Sequence, residues 1–248
     1  MEHLKEILDF ETKIAVMLLE SGAEISRIEE TLQHISKALH VDQLEMFIIA
    51  NGIFLNLVKD DHEEHTRIQY VPQTTANMTR ICQINGLSRD LEAGKLTFEE
   101  AVAALDDIEH FRFPWKHLSF LSSGLGAGAF CFLFGGSLAD CAGSFLCGLV
   151  LWCLMQFLKS QTKVLKLILS AGAVTGCCIL LSRAGLIRTL HFAVMGSVVP
   201  LIPGVQFLNG VRDITDGDLI SGGIRLVDAT ADIICIAAGV GLMMSLFY

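Results

Sequence analysis

The sequence predicts a membrane all-α bundle of about five transmembrane helices, preceded by a small cytoplasmic α+β domain with a three-stranded antiparallel sheet. Three observations carry that reading. Charge is unevenly spread: residues 1–116 hold 11 Lys or Arg and 21 Asp or Glu, whereas 117–248 hold 7 and 6. Five apolar stretches follow residue 116, most of them near the ~20 residues needed to cross a hydrocarbon core. Ahead of them, helical and alternating apolar periodicities occupy separate short runs. The domains are therefore drawn at 1–116 and 117–248.

Two amphipathic helices come first, at about 2–20 and 24–39. The second puts Ile25, Ile28, Leu32, Ile35 and Leu39 on one stripe. Ser21-Gly-Ala-Glu24 between them has the form of a capping box, with Ser21 as N-cap and Glu24 at the third helical position. Strand-like runs follow at 44–50, 53–59 and 66–71; Asn51-Gly52 signals a type I′ hairpin, and Asp60-Asp-His-Glu-Glu64 a second turn. Helices at 75–93 and 97–109 then lead through Phe113-Pro-Trp115 to the apolar half.

Net acidity in the first domain argues against nucleic-acid or anionic-lipid binding. The charged start, Met1-Glu-His-Leu-Lys-Glu6, does not read as a signal peptide. His62-Glu-Glu-His65 departs from the zinc-binding HExxH spacing and falls in a turn, so neither a metal nor a cofactor is expected. Glu24, Glu29 and Asp90 are carboxylates without a visible nucleophile–base pair, which argues against an enzyme.

The apolar stretches lie at about 117–136, 138–158, 167–182, 192–210 and 222–247, the third short at 16 residues. Lys116, Lys159, Lys163, Lys166, Arg212 and Arg225 fall on one side of such a bundle, Arg183 and Arg188 on the other. The positive-inside rule then makes the N-terminal domain cytoplasmic. Gly124–Gly128 and Gly172–Gly176 are small-residue pairs that let helices approach closely. Seven of the eight cysteines lie in this half without a CxxC pair, as small apolar packing residues.

Chemistry concentrates in the last two stretches. Pro200 and Pro203 each remove a backbone donor, and Gly204 loosens the chain further. A helix broken there exposes amides that can hold a carboxylate. Asn209, Arg212 and Asp213 end this stretch; Arg225, Asp228 and Asp232 then fall at i, i+3 and i+7. On that spacing Arg225 is positioned to neutralise Asp228, and Asp232 is left deeper without a nearby base in sequence. Carboxylates at membrane depth are costly and mark pathways or proton relays. The residues alone thus point to a transporter.

The order Leu19-Glu-Ser-Gly-Ala-Glu-Ile-Ser-Arg27, Asn85-Gly-Leu-Ser-Arg89, Phe98-Glu-Glu-Ala101, Phe134-Gly-Gly136 and Pro200-Leu-Ile-Pro-Gly204, with Asn209, Arg212-Asp213 and Gly217, resembles the threonine/serine exporter (ThrE) family, and more closely its YjjP-type half proteins. The resemblance runs through essentially the whole chain. It implies proton-driven export of threonine and serine, with succinate efflux also associated with the YjjP type, and a separately encoded small membrane subunit as partner in a hetero-oligomer in the bacterial inner membrane. It carries the substrate-site roles onto Pro200, Pro203, Gly204, Asn209, Arg212, Asp213 and Arg225. Two departures stand out: Asp228 where the family often has Glu, and Ala76-Asn-Met-Thr-Arg80 where it usually has Arg-Gly-Ile/Val-Asn.

Together these give an expected mechanism. The substrate carboxylate meets the amides at Pro200–Gly204 with Arg212 or Arg225, an ammonium pairs with Asp228 or Asp213, and Asp232 carries the proton. A dicarboxylate would instead use both arginines. A third reading makes the chain a regulatory or assembly subunit whose soluble domain senses a ligand.

Overall fold

A computed structural model describes residues 2–59, 63–72, 76–111 and 116–247. The chain divides into two compact units: Met1–Arg112 with Gly204–Val227, and Phe113–Pro203 with Asp228–Tyr248. The sequence assigned 204–227 to the apolar half; in the structure this segment packs with the first unit, for reasons that lie in its polar face.

The first unit is built on α1 (Glu2–Glu20) and α2 (Ile25–Ala38), a sheet of β1 (Gln43–Ile49), β2 (Gly52–Lys59) and β3 (Glu63–Tyr70), then α3 (Met78–Glu92) and α4 (Phe98–His110). The sheet is antiparallel in the order β1-β2-β3. Its inner residues Ile48, Ile53, Leu55 and Leu57 join one core with Ile7, Ile14 and Leu18 of α1 and Ile25, Ile28, Leu32 and Ile35 of α2. The alternate residues Phe47, Phe54, Ile68 and Tyr70 stay exposed, as strand alternation requires.

Two local expectations fail here. Ile49 pairs with Gly52, so the hairpin loop is Ala50–Asn51, and neither these residues nor Gly52 take a positive φ. A type I′ turn needs positive φ at both loop positions, which Ala50 disfavours. The loop is anchored instead by Val71, whose N–H donates to the Asn51 carbonyl at 3.0 Å. Nor is Ser21 an N-cap: its hydroxyl donates back to the Met17 carbonyl, and Glu24 occupies the N-cap without a side-chain capping bond. The missing cap comes from a distant residue, described below. Thr97 and Glu100 do form a full capping box at α4. The His62 position of the rejected zinc motif lies outside the described residues.

The second unit holds α5 (Lys116–Leu133), α6 (Leu138–Phe157), α7 (Lys163–Arg183), α8 (Leu190–Val198) and the later part of α10 (Leu219–Phe247). Glycines set its helix contacts. A Cβ on Gly148 of α6 would come within 2.6 Å of the Ser123 carbonyl, and one on Gly124 within 2.8 Å of Leu149. Along α7 and α10, Gly172 meets Gly239, Gly176 meets Met243, and Arg183 donates to the Phe247 carbonyl. These contacts advance together in sequence, so the two helices run parallel.

Helix α7 has 21 residues, not the 16 of the apolar run, because Lys163 and Lys166 lie inside it. Leu138–Ser160, Lys163–Arg183 and Leu219–Phe247 are long and apolar enough to cross a membrane. A fourth span results if Leu190–Leu201 and α9 (Gly204–Thr215), bent by 62° at the break, are taken together. The apolar helix Leu118–Leu133 is shorter.

Candidate functional site

The predicted polar residues assemble at two places. In the first unit, α1 ends with Gly22 at φ +75°, and the N–H groups of Gly22 and Ala23 bond back to Leu19 and Leu18. This is the glycine-terminated helix end that leaves the next carbonyls facing outward. Asn209 Nδ2 donates to the Gly22 carbonyl at 2.7 Å, and Arg225 Nη2 to that of Ala23 at 2.9 Å. Arg212 Nη1 lies 2.8 Å from Glu24, and Ser26 Oγ donates to Asp216. The Ile25 N–H donates to Asp213 Oδ1 at 3.3 Å, so Asp213 satisfies the first turn of α2 that Ser21 leaves uncapped.

Why α9 presents these groups is legible in its spacing. Asn209, Arg212, Asp213 and Asp216 fall at i, i+3, i+4 and i+7, one face of a helix. Helix α9 then ends at Gly217, φ +104°, with the Asp218 N–H returning to the Asp213 carbonyl. A Cβ on Gly222 would come within 2.6 Å of the Gly210 carbonyl. That close approach brings Arg225 to the Asp213 carboxylate at 3.3 Å, with both side chains buried. Asp213 Oδ2 has no hydrogen-bond partner among the described residues, so this contact is an ion pair rather than a hydrogen bond. Burial, with Asp218 nearby, pushes the Glu29 carboxyl on α2 up from its usual range.

The cluster's chemistry is cohesive: each arginine already faces a carboxylate, and a substrate anion reaching Arg212 or Arg225 competes with Glu24 or Asp213. The sequence expected Arg225 to neutralise Asp228. Its carboxylate partner is Asp213, because the Ala23 carbonyl and Asp213 together hold the guanidinium in the first unit.

The second place lies in the second unit. Lys163 Nζ, from the first residue of α7, sits 2.8 Å from Asp228 Oδ2 and 2.9 Å from Asp232 Oδ2 of α10. Asp232, expected to lack a base, therefore has one, supplied from 69 positions away along the chain and beyond the reach of local spacing. Its side chain is 11% exposed, against 39% for Asp228 and 50% for Lys163. Since α7 and α10 run parallel from this end, both acids lie near the start of the paired stretch rather than at its middle.

Between α8 and α9, Val199–Leu201 forms a single tight 3₁₀ turn, and the Ile202 N–H bonds back to the Val199 carbonyl. The next helical turn is the first of α9, beginning at Gly204. Gly204 has no positive φ, and a Cβ there would meet nothing within 4 Å.

Two further buried acids escaped the sequence reading. Asp140 forms a capping box with Ser137 and also accepts the backbone N–H groups of Arg188 and Thr189 at 2.6 and 2.9 Å, tying α6 to the chain entering α8. The Ser137-x-x-Asp140 pattern carried the first half of that signal. Glu11 of α1 is fully buried; Ser36 donates to its Oε1 at 2.5 Å, and its Oε2 has no partner among the described residues. Burial pushes the Glu11 carboxyl up to about 8, against a smaller lowering by Ser36. The cysteines are free thiols, with Cys131, Cys147 and Cys178 buried and Cys82 and Cys153 exposed; Cys147 and Cys178 touch in the second unit's core. Among the described residues, one group has metal-ligand spacing, Asp106, Glu109 and His110, all exposed, and Lys13 pairs with both acids.

Comparison with known proteins covers nearly the whole chain. The model of the family described as "Putative threonine/serine exporter", ThrE, matches residues 9–247. Proteins named "Probable succinate transporter subunit YjjP" from Klebsiella aerogenes and Escherichia coli K12 are similar at 26% and 25% identity, over 94% and 93% of this chain and 90% of each relative. A "Pheromone-regulated membrane protein 10" from Pichia sorbitophila is 22% identical over 99% of this chain and 26% of its own length. No solved structure matches.

Proposed function

Because this chain belongs to the threonine/serine exporter family, we propose that it is one subunit of a proton-coupled exporter of small carboxylic metabolites, threonine and serine first among them. The observation that carries the amino-acid reading is the cluster of one lysine and two aspartates on α7 and α10. Two carboxylates there share the Lys163 ammonium, which suits a proton or a substrate ammonium better than a second carboxylate. The family description points the same way.

In this reading the chain lies in a bacterial inner membrane, with about five crossings and residues 1–116 on the cytoplasmic side. A separately encoded small membrane subunit completes the pathway. The substrate carboxylate is held at the Pro200–Gly204 break by the first amides of α9, with Pro203 and Gly204 keeping that turn open. Arg212 and Arg225 take part once they leave Glu24 and Asp213, and Asn209 and Asp213 complete the polar set. Asp228 pairs with the substrate ammonium, and Asp232 binds the external proton and releases it inside. Antiport follows: substrate leaves as protons enter. No catalytic chemistry and no cofactor are involved.

A second reading, succinate as substrate, is favoured by the names of the two similar subunits. A dianion would recruit both arginines and depend less on Asp228. The test is efflux of labelled threonine, serine and succinate from cells making this chain with its partner, under an imposed pH gradient. Asp232→Asn should abolish the gradient dependence while the protein still inserts. Undiminished coupling in that variant would remove Asp232 from the mechanism.

A further inference from the structure

Resting on the exporter reading, we infer that Lys163 is a tethered cation that guards Asp232 and yields its place to the transported proton or ammonium. The geometry is graded. Side-chain exposure falls from 50% at Lys163 through 39% at Asp228 to 11% at Asp232, so the ammonium is the outermost of the three groups and covers the inner carboxylate. Asp232 lies one helical turn beyond Asp228 on α10, and both project to the same ammonium. Lys163 is the first residue of α7, and its N-cap Thr162 makes no side-chain bond. Its flexible stem can therefore swing aside without unwinding the helix.

Charge balance then dictates the exchange. With Lys163 protonated and both aspartates ionised, its one ammonium serves two carboxylates. A proton that binds an Asp232 carboxylate oxygen forms one O–H bond and removes that carboxylate's charge, while Lys163 stays an ammonium paired with Asp228. Release of that proton restores the Asp232 carboxylate, and the lysine returns to it. An amino-acid ammonium supplies the same single charge, so proton and substrate compete for one vacancy. Among the described residues, Lys163 from α7 meets Asp228 and Asp232 from α10 here.

The test reads the chemistry of Asp232 directly. Membranes containing the full chain together with its small membrane partner are treated with dicyclohexylcarbodiimide, which modifies protonated carboxyls, and the peptide bearing Asp232 is followed by mass spectrometry across pH. Lys163→Met should raise the modification rate near neutral pH on the order of tenfold, the consequence of removing one opposite charge at this distance. Lys163→Arg, which keeps the charge, should stay close to the parent, and Lys163→Gln serves if the methionine variant does not insert. Equal rates in the parent and the neutral variants would overturn the inference. The same membranes report efflux separately. If modification responds while no threonine, serine or succinate moves in the parent, the exporter reading fails and the lysine's role stands. If efflux proceeds and modification is indifferent to Lys163, only the lysine's role fails.

Discussion

Replacing Asp213 with alanine should destabilise the first unit more than any exposed substitution on it. Asp213 is 1% exposed, caps α2 through the Ile25 N–H and faces Arg225, itself 5% exposed. Removing one member of a buried ion pair costs about 3–5 kcal/mol, because the remaining charge is left without compensation. Here the lower end applies: the Asp213–Arg225 contact lacks hydrogen-bond geometry, and Arg225 retains the Ala23 carbonyl. Loss of the cap adds about 1 kcal/mol. A total of about 4 kcal/mol lowers the melting temperature by roughly 8–16 °C for a unit of this size.

The assay is thermal unfolding of the purified full chain in detergent, with limited proteolysis mapping cleavage near the α1–α2 turn. The cycle closes with Arg225→Met and the double variant Asp213→Leu/Arg225→Met. Replacing both charges with apolar groups is often close to neutral, so the double variant should recover most of the loss. The remaining deficit, about 1 kcal/mol, would be the uncapped end of α2. A melting shift under about 3 °C for Asp213→Ala, equivalent to about 1 kcal/mol, would refute the argument. It would mean that α9 does not hold the loop.

Other consequences follow from the same coordinates. Glu11 is neutral when buried, with its carboxyl pushed up to about 8 by desolvation. In the unfolded chain it ionises near pH 4.3, so the unfolded state binds fewer protons between about pH 4.3 and 8, and stability falls as pH rises through that window. Glu11→Gln should remove this slope and stabilise the unit at pH 8 by on the order of 3–5 kcal/mol, read as a melting profile flatter in pH; an unchanged slope would contradict it. Gly148→Val should prevent the close crossing of α5 and α6, since even a Cβ would approach the Ser123 carbonyl to 2.6 Å. Gly204→Ala meets open space and should leave melting unchanged. Size-exclusion profiles and melting of the two variants separate these expectations, and an aggregated Gly204→Ala would contradict the second.

Local signals were read well because they are local. The α2 stripe, the three strands and the helix break at Pro200–Gly204 each follow from periodicity or backbone chemistry within a few residues. The same is true of the close-packed glycines on α5 and α7. Expectations failed where a distant group decided the outcome. Ser21 looked like a cap, yet Asp213 caps α2 from 188 positions further along the chain. Asp232 looked unpartnered, yet Lys163 reaches it from another helix. The α9 face Asn209, Arg212, Asp213 and Asp216 was visible as a periodic polar stripe, but the sequence could not say that the α1–α2 turn covers it. Ala50–Asn51 shows the converse: the hairpin sits where expected, and a one-residue shift in the loop changes the turn type.

The most direct test of the central claim is gradient-driven efflux from vesicles containing this chain together with its small membrane partner. Each vesicle set is preloaded with labelled threonine, serine or succinate and followed before and after collapse of the pH gradient. The account predicts loss of threonine or serine that requires both subunits and the gradient, and that disappears in Asp232→Asn. Retention of all three solutes with both proteins inserted would contradict it.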